Sequence, residues 1–119
     1  MELESLGAYI NIAITESLED RFMGSKELYV RFLKKLAQEH REEELTAAWQ
    51  KKDWQELHRQ AHNLKGVAAN LGLMRLSEVF AKLVMELRKA EPDEEEIGNA
   101  LNRSLREYLL VKSILSKLD

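Results

Sequence analysis

The sequence predicts an all-α fold, an antiparallel up-down four-helix bundle with a short N-terminal helix, and three observations predict it. Leu, Ala, Glu, Lys and Arg dominate a chain that holds one proline and five glycines, and these residues lose least on entering a helix. Apolar residues recur at helical spacing along most of the chain. No segment sustains the two-residue alternation with β-branched enrichment that marks a strand. The connections between periodic segments are short, which makes neighbouring helices antiparallel. A chain of 119 residues builds one core rather than two. Residues 1–119 therefore read as a single domain, with a helical lead-in over 1–24 and a bundle core over 25–119.

The lead-in "LESLGAYINIAITESLEDRFMG" predicts a short helical start and then a helix from about Ala13 to Met23. Gly24 closes that helix, where a left-handed residue is wanted, and Ser25 caps the next. In "SKELYVRFLKKLAQEH" the residues Leu28, Tyr29, Phe32, Leu33 and Leu36 form one apolar stripe. The stripe fades at "EHREEE", and Leu45, Ala48 and Trp49 resume it out of phase, so a kink or break falls near residues 40 to 43. Asp53 with Glu56 forms a capping-box-like pair. The helix that follows carries Trp54, Leu57, Ala61, Leu64, Ala68 and Leu71 on one face, and Gly72 ends or interrupts it. A further helix presents Leu76, Val79, Phe80, Leu83 and Leu87. Pro92 stops it, because the residue before proline avoids the helical region. Asp93 then caps a last helix on Ile97, Leu101, Leu105, Tyr108, Val111 or Lys112, Leu115 and Leu118. Its first turn carries three glutamates, where the helix dipole favours negative charge.

Composition and charge exclude several functions. Apolar residues make up 45% and charged residues 33%, a globular balance rather than a disordered one. A net charge of −3 argues against nucleic acid as the main partner, since phosphate backbones select basic faces. The absence of cysteine removes disulfides, thiolate metal sites and thiol nucleophiles. No apolar run is long enough to span a membrane. The acidic start "MELESLGAYI" lacks the basic n-region of a signal peptide. A cytoplasmic, monomeric protein is the simplest expectation, and the initial Met points to a separate chain rather than a piece of a larger kinase.

One stretch stands out, "HRQAHNLKGVAANLG", residues 58 to 72. A glycine inside a helix costs about 1 kcal/mol relative to alanine, so Gly66 needs a reason. On a wheel of about 100° per residue, His62 lies about 130° from the apolar stripe, Gly66 about 170° and Lys65 about 70°. His58 and Ala69 share the flank of His62. An outward histidine thus has a lysine beside it and small residues around it. Glycine on the solvent face offers the core nothing, but its lack of bulk lets another protein's backbone approach His62 closely.

The motif "AHNLKGVAANLG", Ala61 to Gly72, resembles the histidine-containing phosphotransfer (HPt) domain family, with its His, any residue, Leu, Lys, Gly, small residues and Leu-Gly. "RFMGSKELYVRFLKKL" and "KKDWQEL" are similar to the segments that precede the histidine helix in such domains. The resemblance covers residues 12 to 90 by motif and the whole chain by architecture. It implies a phosphorelay carrier that accepts a phosphoryl group on His62 from a receiver-domain aspartate and passes it to another receiver. Lys65 is then the neighbour that balances phosphoryl charge, and Gly66 makes room for the docking receiver. The implied partners are response-regulator receiver domains and a hybrid sensor histidine kinase. No cofactor is expected on this chain, the Mg²⁺ of the exchange being held by the receiver. Two positions depart from the family pattern. Val84 stands where many members carry a Gln or Glu that hydrogen-bonds the imidazole, so the orientation of His62 comes from elsewhere, water being one candidate, or is looser. Val67 stands where small polar residues are common.

The physical chemistry asks for a neutral imidazole as nucleophile, and an ordinary histidine, titrating near about 6.5, is mostly neutral at pH 7. Docking asks for an apolar patch. On the following helix Val84 lies about 80° off the core stripe and Met85 about 180° off. With Ala69, Gly66 and His58 they are candidates for a receiver surface, framed by Arg88 and Lys82. Other readings are fewer in their support. His58 and His62 are spaced for a metal, but "HRQAH" offers no third donor and His40 is the only other histidine. The same bundle could bind a receiver or kinase without carrying phosphate, or be fed directly by a kinase's ATP-binding domain. A kinase in its own right is not expected, because no glycine-rich phosphate loop is present.

Overall fold

The computed structural model describes all 119 residues, Met1–Asp119. A 3₁₀ turn, Leu3–Ala8, precedes six helices: α1 Ile14–Phe22, α2 Lys26–Gln38, α3 Arg41–Gln50, α4 Trp54–Asn70, α5 Met74–Leu87 and α6 Glu94–Leu115. No strand forms beyond one isolated bridge between Ile12 and Leu73. The all-α expectation holds.

The bundle has four arms, and the first is α2 and α3 taken together. The break between them lies at Glu39 and His40, at the near edge of the expected 40 to 43. Glu39 is extended, and its carbonyl accepts a hydrogen bond from the Tyr108 hydroxyl of α6 at 3.2 Å. A carbonyl freed by the break is thereby satisfied inside the fold. Glu42, Glu43 and Glu44 then occupy the first turn of α3, where the dipole welcomes them. Lys112 of α6 reaches Glu42 at 2.8 Å. The arms run antiparallel: Arg41 meets Gln60 and Asn63, Arg88 meets His58, Lys52 meets Glu94 and Ser104 meets Val79.

The caps form where the sequence put them. The Ser25 hydroxyl accepts from the Leu28 N–H, and the Asp93 carboxylate from the N–H groups of Glu95 and Glu96. The left-handed turn after α1 is shared, since Met23 adopts it at φ 51° before Gly24 does so at 76°.

Gly72 does more than stop α4. Its φ is 75°, and a Cβ there would come within 2.5 Å of Ser17 Oγ and 2.6 Å of the Ala13 carbonyl oxygen. Ala13 N–H donates to the Gly72 carbonyl at 2.8 Å, and Met74 N–H to the Asn11 carbonyl at 3.2 Å. The N-terminal segment is thus stitched across the α4–α5 turn. Leu3, Leu6 and Ile10 lie buried in the same hydrophobic cluster as Leu73 and Leu118, so the lead-in closes one end of the bundle.

Two faces differ from the wheel. Phe32, expected in the α2 stripe, is 43% exposed while Tyr29, Leu33 and Leu36 are buried. On α5, Leu76, Phe80 and Leu83 are buried as expected, but Val79 and Leu87 are only half-buried and Val84 and Glu86 are buried instead. The reason is tertiary. α5 packs against both α4 and α6, so its buried arc is wider than the single stripe of a surface helix.

Candidate functional site

α4 starts at a firm cap. The Asp53 carboxylate accepts from the Glu56 N–H at 3.1 Å. Glu56 does not complete the reciprocal box. Its carboxylate instead takes Arg59 at 2.6 Å and Gln60 at 3.0 Å, and the bond from Arg59 is the main reason its carboxyl is held down to about 2. From this cap the helix turns Leu57, Ala61, Leu64 and Ala68 into the core. The opposite face carries His62, Gly66 and Ala69 exposed to solvent, with Lys65 half-buried at the edge. A Cβ added at Gly66 would meet no heavy atom within 4 Å. Space beside His62 is therefore open along α4 itself.

His58 and His62 stack, ring centroids 6.0 Å apart and planes within 5° of parallel. The Nε–H of Arg88, the C-cap residue of α5, donates to His58 Nε2 at 3.1 Å. That bond requires a lone pair on Nε2, so the His58 ring is neutral with its proton on Nδ1. Burial first, and then the charges of Arg88 and His62, lower the pKa of His58 from the ordinary 6.5. His62 makes no hydrogen bond within the protein; its ring lies parallel to that of His58 one turn back. No group of three or more His, Asp or Glu side chains gathers here as metal ligands would.

Lys65 is fixed by its backbone: its carbonyl accepts from the Ser77 hydroxyl of α5 at 3.2 Å. The Lys65 ammonium enters no salt bridge or hydrogen bond within the protein and is left to solvent.

The residues proposed for docking separate on α5. Met85 is 57% exposed and Arg88 is exposed. Val84 is 3% exposed, which corrects its expected place at a surface edge. It shares the side of α5 that carries Ser77 and Arg88, both of which reach α4, and the contact between the two helices covers it. Neither by hydrogen bonding nor as accessible surface does Val84 serve His62. Lys82 also departs from its expected place, because it turns to the α5–α6 groove beside Ala100 and Arg103 and pairs with Glu86 at 3.4 Å.

The other flank of α4 holds features that periodicity did not signal. Arg41 of α3 bridges Gln60 and Asn63 at 3.1 and 2.8 Å. Farther along, a hollow of about 380 Å³ opens between α1, α2 and α4, with Phe22, Phe32, Leu36, Val67 and Leu71 on its apolar walls. Val67, apolar where small polar residues are common, is the one sequence-level trace of that hollow. The pairing of Arg88 with His58 had no such trace, since 30 residues separate them.

Compared with known families, the chain matches the family described as Hpt domain over residues 27–109, a stretch from the first turn of α2 into α6 that includes α4 entire. No curated protein and no solved structure matches it.

Proposed function

Because the chain belongs to the Hpt domain family, the phosphoryl carriers of two-component signalling, we propose that His62 is its phosphoacceptor and that receiver domains are its partners. The observation that supports this reading best is His62 itself, exposed on α4 beside the bare backbone of Gly66. An aspartyl phosphate lies inside a receiver's own active site, so a carrier must reach in, and a bulky neighbour would stop it.

The reaction runs in line. His62 Nε2 attacks the phosphorus of the partner's aspartyl phosphate, the N–P bond forms as the P–O bond to the carboxylate breaks, and the partner recovers its carboxylate. The proton on Nδ1 is then released to water. Little else is asked of the protein than position and charge balance. The stack on His58 orients the ring in place of the side-chain amide or carboxylate that many members carry at the position of Val84. Lys65 offers its ammonium to the phosphoryl oxygens. The Mg²⁺ expected in the exchange belongs to the receiver, and this chain has no donor cluster that fits one. Met85 and Arg88 on one side of α4 and Ala69 with the Phe32–Val67 hollow on the other frame the docking face. A hybrid sensor histidine kinase is the proposed source of the phosphoryl group, and the chain acts as carrier rather than as kinase.

The test is transfer of radiolabel from a phosphorylated receiver domain. Label should reach the wild-type chain within minutes and fail to reach His62→Gln. A chain that binds the receiver without taking label would be the alternative, a non-phosphorylated receiver- or kinase-binding helical module. Label on His62→Gln equal to wild type would remove His62 from its role.

A further inference from the structure

We propose that Arg88 is a switched counter-cation for the phosphoryl group, parked on His58 while His62 is bare and drawn to the phosphoryl oxygens once Nε2 carries them. The proposal deepens the carrier reading and rests on it. Three observations support it. The Arg88 guanidinium is exposed and makes no ion pair; its one bond within the protein is the 3.1 Å contact to a neutral imidazole. His58 and His62 are one helical turn apart with parallel rings 6.0 Å between centroids, so the parked guanidinium lies within the reach of its own side chain from a group on His62. Glu86, two residues before Arg88, is engaged by Lys82 and Lys89, and Glu56, two residues before His58, by Arg59.

The competition is unequal by chemistry. A neutral imidazole offers one acceptor. A phosphoryl group offers three oxygens and close to two negative charges. Hydrogen bonds between ionised partners are roughly twice as strong as neutral ones, and guanidinium meets phosphate with two parallel donors. His58 therefore keeps the cation near the site without giving it a partner it would be slow to leave. Lys65 approaches from the Gly66 side and Arg88 from α5, so the phosphoryl group would lie between two cations.

His58 reports the switch. The charged groups acting on it are Arg88 from α5 and His62 from its own helix, while Arg41 of α3 is committed to Gln60 and Asn63. When Arg88 leaves and a dianion arrives, His58 gains proton affinity.

The chain can be loaded without any partner by phosphoramidate, whose P–N bond to ammonia breaks as the N–P bond to His62 forms. The experiment follows the Arg88 Nε–H and His58 ring signals by ¹⁵N NMR before and after loading. It also follows the ³¹P titration midpoint of phospho-His62 in wild type, Arg88→Gln and Arg88→Lys. Loading should shift the Arg88 signal and raise the His58 midpoint. Arg88→Gln should raise the phospho-His62 midpoint by about half a unit, about threefold in proton affinity, because a nearby cation disfavours protonation. Arg88→Lys should restore part of that difference. In His58→Asn the Arg88 signal should already have lost its parked position before loading. An Arg88 signal unmoved by loading, or a midpoint that Arg88→Gln leaves unchanged, overturns the switch alone. A chain in which His62 takes no phosphoryl group overturns the carrier reading and the switch with it.

Discussion

Gly66 sits in the interior of α4 and gives nothing to the core, and with no heavy atom within 4 Å of an added Cβ the fold does not need it to be glycine. Alanine there should stabilise the protein by about 1 kcal/mol, the helix-propensity difference, measured by urea unfolding. Gly66→Gln should fold as well, load from phosphoramidate at the wild-type rate, and accept a phosphoryl group from a receiver at least tenfold more slowly. A defect in both loadings would mean that Gly66 acts on His62 itself rather than on the approach to it. Gly72 is the contrary case. There a Cβ would collide with Ser17 and Ala13, and φ is 75°, so its glycine serves the fold. The two glycines of one motif therefore answer to different demands, a distinction that "GVAANLG" alone does not draw.

At the scale of the element, α4 is a platform whose rotation decides what His62 faces. Its rotation is set by Leu57, Ala61, Leu64 and Ala68 in the core, and its start by Asp53. Asp53→Ala removes the acceptor of the Glu56 N–H and should lower stability by about 1 kcal/mol, with Asp53→Asn retaining most of it, as read from thermal unfolding. Phosphoryl transfer to His62 should be unchanged in both, because the core face, two turns on, keeps the helix in register. The caps, the stripe of α4 and the outward position of His62 were all legible in the sequence, since each depends on residues three or four apart. The inner arc of α5 was not. Val84 and Glu86 are buried because α5 has neighbours on two sides, and a wheel drawn for one stripe leaves such residues at its edge.

At the scale of the whole molecule, the two arms formed by α2–α3 and α6 are tied by Tyr108, whose hydroxyl donates to Glu39 at the helix break. Tyr29 ties α2 to the end of α4 by donating to the Leu71 carbonyl at 2.7 Å. Burial pushes both phenols up to about 12 from the ordinary 10. Between those values the folded state keeps protons that the unfolded state loses. Their contribution to stability is therefore fully present below pH 10 and is lost as pH rises toward 12. Tyrosinate absorbance and helical circular dichroism, followed together through that range, should show Tyr29 and Tyr108 ionising only as the bundle unfolds; ionisation of both with full helicity retained would contradict their place in the fold. By itself the sequence determined the helices, their caps, the solvent-facing position of His62 and Gly66 and the edge position of Lys65, because helical periodicity is a local property. Tertiary structure alone decided the burial of Val84, the stitch at Gly72, the hollow at Phe32 and the bond from Arg88 to His58. Those depend on which helices lie side by side, a relation between residues far apart in the chain that no spacing along it encodes.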